Sequence, residues 1–197
     1  MKPREIRQQK TRQAILDATR KLISEKGVDG LSMRGIAKAI DYSPAGLYEY
    51  FGSKEDLLCA VVSEGHQRFS NYMHAVDESL PFKDYMYEMG RAYINFAANN
   101  PDYFLLIFTN APHGDDLDHL MENASSFNVL VSGIQKGIDE GLITLGPKYG
   151  IYELAMVFWT SVHGLAMLRL TQLKKAPMDF DHIYNVVYMN QMKGLTS

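Results

Sequence analysis

The stretch "YSPAGLYEYFGSKEDLL", Tyr42 to Leu58, crowds Tyr48, Tyr50 and Phe51 together between two serines, Ser43 and Ser53. Ser43 reads as the N-cap of a helix, with Pro44 at its first position, where a missing N–H costs nothing. Ser53 reads as the cap of the next helix, whose first turn gains from Glu55 and Asp56 at the positive end of its dipole. Barely two helical turns fit between the two caps. A packing helix of that length buries little, so its tyrosines are expected to serve something outside the core.

Upstream, a first helix is expected from about Arg4 or Thr11 to Lys26, with Ile15, Ala18 and Leu22 on one face and Gly27 as its stop. Ser32 caps a short second helix in which Met33, Ile36, Ala37 and Ile40 share a face. Asp41 and Tyr42 make a tight turn. Two short helices joined by such a turn outline a helix-turn-helix, whose second helix lies in the DNA major groove. On a helical wheel Pro44, Leu47 and Phe51 face the core, whereas Ala45, Gly46 and Glu49 face away. Tyr48 and Tyr50 flank the core stripe, where a phenol packs its ring on protein and turns its hydroxyl to a phosphate. The small outer residues let the backbone approach base edges, and Lys54 adds an ammonium beside the exposed N–H groups of the fourth helix.

Downstream, strand patterns are nearly absent and helical spacing recurs to the end. Helices are expected over about 82–98, from Pro101 ("PDYFLLIF"), over about 115–140 closed by Gly141, over about 148–172 started by Pro147, and over about 179–192. The chain therefore reads as all-α, with about nine helices.

The 197 residues carry a net charge of −3 that hides an asymmetry. Residues 1–54 hold eleven Lys/Arg and six Asp/Glu, and residues 55–197 hold nine and seventeen. A basic first quarter joined to an acidic body suggests a polyanion-binding module on a body that avoids polyanions. The single cysteine, Cys59, excludes an internal disulfide and a cysteine-based zinc site, and fits a reducing compartment. Within its apolar helical stretch it reads as an inert, buried thiol. The basic "MKPREIRQQKTR" is followed by no apolar run, so no signal peptide is expected. "LAMVFWTSVHGLAML", Leu154 to Leu168, would span ~22 Å as a helix, short of the ~30 Å of a hydrocarbon core. It also carries Thr160, Ser161 and His163, and reads as a buried helix of a soluble protein.

The acidic body holds nine of the eleven methionines. Trp159, His163 and Met167 form an i, i+4, i+8 row that could line a ligand pocket, with Phe104 and Phe108 closing over it. The competing account is ordinary core, with His163 a satisfied core imidazole. Gly164, costly inside a helix, points to close helix–helix contact, within the chain or at a dimer seam. "HGDDLDHL" (His113, Asp115, Asp116, Asp118, His119) has the donor set for a divalent ion, but acids at a helix N-terminus also complement the dipole. No metal or other cofactor and no enzyme are expected: His-Glu-x-x-His, a Gly-rich phosphate loop and a nucleophile elbow are all missing.

"LSMRGIAKAIDYSPAGLYEYFGSKEDLL" resembles the DNA-binding signature of the TetR/AcrR family of bacterial transcriptional regulators. The likeness covers about residues 10–58 and includes Ala37, Ser43, Leu47-Tyr48, Phe51 and Lys54-Glu55-Asp56-Leu57. "NNPDYFLLIF" and "FWTSVHGLAML" are similar to the C-terminal domain of a subgroup with a Trp…His-Gly signature, here Trp159, His163 and Gly164. The resemblance implies an all-α homodimer: residues 1–54 form a helix-turn-helix domain, and residues 55–197 an effector-binding and dimerisation domain. It implies that Ser32 and Arg34 meet phosphate or a base, with Arg34 suited to bidentate guanine recognition worth about 1–3 kcal/mol. Ser43, Pro44, Ala45 and Gly46 would face the groove, and Tyr48, Tyr50 and Lys54 would hold the backbone. Two residues depart from the family pattern. Asp41 stands where the turn usually has glycine, a position aspartate tolerates at some cost. Glu49 stands where a basic or neutral residue is usual, and either accepts from a cytosine N4 or repels phosphates.

From the residues and the resemblance together, the expectation is a cytoplasmic, dimeric regulator of double-stranded operator DNA, a repressor released by a small organic effector and without a membrane partner. The alternatives are a helical protein-interaction module that does not bind DNA, or the same regulator with a metal effector at 113–119.

Overall fold

The computed structural model describes residues 2–109, 125–147 and 149–195. The cluster at 113–119 lies outside them. Among the described residues there are nine α-helices and no strand: α1 (Pro3–Lys26), α2 (Met33–Ala39), α3 (Pro44–Tyr48), α4 (Lys54–His74), α5 (Phe82–Asn99), α6 (Pro101–Thr109), α7 (Ser125–Asp139), α8 (Ile151–Leu170) and α9 (Phe180–Leu195). They pack into two compact units, one of Met1–Gln67 with Asp102–His113, the other of Arg68–Pro101 with Gly114–Ser197.

In the first unit the buried side of α1 is Ile15, Leu16, Thr19 and Ile23. It is rotated from the expected Ile15, Ala18, Leu22 stripe, because Thr19 hides its hydroxyl by donating to Ile15 O at 2.7 Å and so tolerates the core. Gly27, at φ 72°, ends the helix and donates its N–H to Ile23 O at 2.8 Å. α2 buries Met33, Ile36 and Ala37, while Ile40 stays half-buried. α6 belongs to this unit from Asp102 onward. Ser24 Oγ donates to Asp102 Oδ1 at 2.8 Å, and the Arg20 guanidinium stands 4.6 Å from the Tyr103 ring centroid.

Cys59 is exposed, not buried as its apolar neighbours suggested. The buried side of α4 runs through Leu57, Val61 and Phe69, and Cys59 lies about 200° round the helix from Leu57.

The second unit packs α8 against α5, α7 and α9. Ile94, Leu165, Phe180 and Tyr184 form one buried cluster, flanked by Tyr87, Val162, Leu173, Ile183 and Tyr188. Gly90 permits this approach: a Cβ there would stand 2.1 Å from the Tyr184 hydroxyl. That hydroxyl donates to Tyr87 O at 2.7 Å.

α8 begins at Ile151, later than the Pro147 start expected from sequence, because the Glu153 carboxylate reaches back to accept the Gly150 N–H at 2.8 Å. By length and composition this is a helix that could cross a membrane, yet one third of its most apolar window is buried inside the chain. The expectation of a buried helix holds for one face only. Leu154, Ala155, Phe158, Leu165 and Ala166 are buried, whereas Tyr152, Met156, Val157 and Leu168 are exposed. Gly164 answers no close contact within the described chain, since a Cβ there would meet nothing within 4 Å.

Candidate nucleic-acid interface

Three serines set the local geometry around α3. Ser32 Oγ accepts the Gly35 N–H at 3.1 Å, Ser43 Oγ the Gly46 N–H at 3.0 Å, and Ser53 Oγ the Asp56 N–H at 2.9 Å. Each satisfies a donor that the helix itself leaves unpaired. Between α2 and α3 the chain reverses at Asp41, whose φ of 53° lies in the left-handed region. Tyr42 then donates its N–H to Ala37 O at 2.9 Å, closing the turn.

α3 is shorter than its pattern suggests. It ends at Tyr48, and Glu49 caps it, its N–H turned back on the Gly46 and Leu47 carbonyls. Leu47 is fully buried, and Phe51, just beyond the helix, is buried as well. The Arg12 guanidinium of α1 stands 5.1 Å from the Phe51 ring centroid. Pro44 does not join them in the core. It is exposed, since the first residue of so short a helix projects beyond the bundle.

The expected outer residues fall into two groups. Ser32, Arg34, Ser43, Pro44, Ala45, Tyr48 and Glu49 are all exposed, Tyr48 at 55% of its surface. Gly46, Tyr50 and Lys54 are half-buried. Gly46 is covered from outside by Tyr42, a residue the sequence reading assigned only to the turn. Tyr42 meets Tyr50 edge-on at 6.3 Å between ring centroids. The neighbouring Tyr50 phenol holds the Tyr42 phenol above its ordinary pKa. The signal that could have exposed this role is the spacing itself: a tyrosine four residues before a glycine, where one helix's cap meets its first turn.

The second unit gathers part of the expected ligand row. Trp159 Nε1–H donates to Tyr93 Oη at 3.2 Å, and Tyr93 Oη lies 2.7 Å from His163 Nδ1. An indole nitrogen only donates, so Tyr93 Oη accepts from Trp159 and shares its second hydrogen bond with the His163 imidazole. Burial lowers the pKa of His163 and raises that of Tyr93. Phe127 meets Trp159 edge-on at 5.9 Å, and Phe69 meets Tyr93 at 5.1 Å. Met167 is half-buried, one turn beyond His163. Tyr93 and Phe127 were not found by sequence reading, because each lies on another helix. Phe104 and Phe108 pack on each other at 4.8 Å and belong to the first unit.

Residues 15–61 match the family of bacterial regulatory proteins called tetR, and residues 86–187 match its tetracyclin repressor-like C-terminal domain. The chain belongs to the TetR family. Among its relatives is the HTH-type transcriptional regulator UidR of Escherichia coli (strain K12), 39% identical over 80 residues, which cover 41% of this TetR-family chain and 41% of UidR. The chain thus spans about two fifths of the length of the curated relatives it matches. Among solved structures, a protein of unknown function from Rhodococcus sp. RHA1 has a TM-score of 0.78 at 21% identity, covering 94% of this chain and 95% of that one. FadR from Bacillus subtilis, solved in complex with stearoyl-CoA, has a TM-score of 0.76 at 19% identity, covering 93% and 98%. Both share the fold of this TetR-family chain.

The turn generates a direct test. A left-handed conformation costs an L-residue roughly 1–2 kcal/mol, which glycine escapes. Asp41→Gly should therefore raise unfolding stability by about 1 kcal/mol, read as a higher denaturant midpoint at unchanged slope.

Proposed function

We propose that the chain is a cytoplasmic, homodimeric repressor that binds double-stranded operator DNA through α2 and α3 and is released from it by a small organic effector. The observation that carries this reading is the serine-capped α3, with Leu47 anchored inside and Ser43, Ala45 and Tyr48 outside, within a segment matching the tetR family. In this reading Ser32 and Arg34 meet phosphate or a base, and Ser43, Pro44, Ala45 and Gly46 face the groove. Tyr48, Tyr50 and Lys54 grip the backbone on either side. The reading assigns no enzymatic step to the chain.

The proposed dimer forms across α8 and α9. Val157 and Met189 are 52% and 56% exposed, a large apolar area for a helical protein to leave in water. Gly164, with open space beside it, allows a second helix to cross closely. In the dimer the recognition helices would reach successive major grooves about 34–36 Å apart.

The proposed effector site is the row of Trp159, His163 and Met167 with Tyr93 beside it, and the Trp…His-Gly run supports assignment to the corresponding subgroup. Trp159, His163 and Tyr93 set polar atoms among aromatic rings, which suits a largely apolar molecule with a polar end. An effector that prefers a second state of the dimer lowers operator affinity in proportion to that preference.

Three measurements test these assignments. Duplexes selected from a randomised library should bind with a steep salt dependence, and Lys54→Ala should reduce the slope of log K against log salt by about 0.9; a flat response would point instead to a protein-interaction module. Trp159, the one tryptophan of the chain, should change its fluorescence on titration with an occupant, stearoyl-CoA being the first probe. His163→Phe should weaken that response if the site is correctly placed. Val157→Asp should shift the mass measured by light scattering from dimer to monomer, and an unchanged mass would move the seam elsewhere.

A further inference from the structure

The outer surface of α3 is less bare than its sequence. Ala45, Gly46 and Glu49 leave the helix without a large side chain of its own on that side, but Tyr42 fills the place. A Cβ built on Gly46 would stand 2.5 Å from Tyr42 Cε1 and 3.1 Å from Cδ1. The ring therefore rests where any side chain at position 46 would begin. It is held there on two sides: its backbone N–H bonds Ala37 O at 2.9 Å, and its ring meets that of Tyr50 edge-on at 6.3 Å. Even so, 40% of Tyr42 remains exposed.

We propose that Tyr42 is a specificity-determining residue of the DNA interface, reading the C5-methyl group of a thymine with a ring that Gly46 positions. This rests on the DNA-binding reading above. The choice of thymine follows from what the residue has left to offer. A tyrosine side chain is carbon but for one oxygen, so most of what a 40%-exposed Tyr42 can offer a groove is apolar ring. In the major groove the one apolar feature of a base pair is the thymine methyl. Gly46 is the positioning residue, since a methyl group at that position would occupy the space of the ring edge. The ring belongs to a partly exposed side chain and can swing, so Gly46→Ala displaces it instead of unfolding the turn.

The test uses the full chain and the duplex it selects from a randomised library, with each thymine of a half-site replaced in turn by deoxyuridine, which lacks only the methyl. Affinities are measured by fluorescence anisotropy at one salt concentration. One replacement per half-site should weaken the wild-type chain about fourfold, the value of one buried carbon of ~0.8 kcal/mol. Tyr42→Ala should weaken binding to the parent duplex and become indifferent to that replacement. Gly46→Ala should show the same indifference, and the double variant should lose nothing further, as expected of two residues acting as one. Tyr42→Phe keeps the ring and should keep the deoxyuridine penalty, which separates lost contact from lost folding. The proposal is overturned if the wild-type chain is indifferent to every replacement, or if Tyr42→Ala retains the penalty. It is equally overturned if Tyr42→Ala weakens selected and random duplexes by one factor, the mark of a phosphate contact. Should the wild-type chain enrich no duplex at all, the DNA-binding reading itself falls, and this inference with it.

Discussion

A five-residue helix cannot hold itself together in water, because the cost of nucleating a helical turn is never recovered over so few hydrogen bonds. α3 exists only because its surroundings complete it. Ser43 satisfies its first donors, the Tyr42 N–H ties its entry to Ala37, and Leu47 and Phe51 draw its inner side into the core of the first unit. That dependence also fixes what the outer side can be. Two large residues anchor the segment, and Ser43, Pro44, Ala45, Tyr48 and Glu49 stay on the outside of the protein.

The same dependence explains why the turn before α3 is strained. Asp41 takes a left-handed conformation so that Tyr42 can reach back to Ala37, and this reversal carries the Tyr42 ring across Gly46. Turn, cap and ring form one assembly. Asp41, Tyr42 and Gly46 are thereby linked within a single turn.

In the second unit the organising element is α8, which is apolar nearly all round. One side is consumed by α5, α7 and α9, and the polar groups it carries there are matched within the unit: Trp159 and His163 both meet the Tyr93 hydroxyl. The other side remains in water with Val157, Gly164 and Leu168 along it. A helix buried on one side and apolar on the other leaves apolar surface in water, and the proposed dimer rests on that surface.

Much of this was legible in the residues themselves. Ser32, Ser43, Ser53 and Gly27 mark helix ends through bonds made within a few positions, so local chemistry alone placed α1 to α4 and made the chain all-α. Among the described residues, the approximate extent of the later helices followed from the 3.6-residue spacing of apolar positions. What local pattern could not supply was which side of each helix meets which neighbour. Pro44 and Cys59 proved exposed, the inner stripe of α1 shifted to include Thr19, and only one side of α8 was covered. Tyr42 left the role of a turn residue for the surface of α3, and Tyr93 and Phe127 joined Trp159 and His163 from other helices. Capping and periodicity act over three or four residues and are written in the sequence. Burial, ring contacts and shared protons depend on residues brought together from far apart, and only the packed chain decides them.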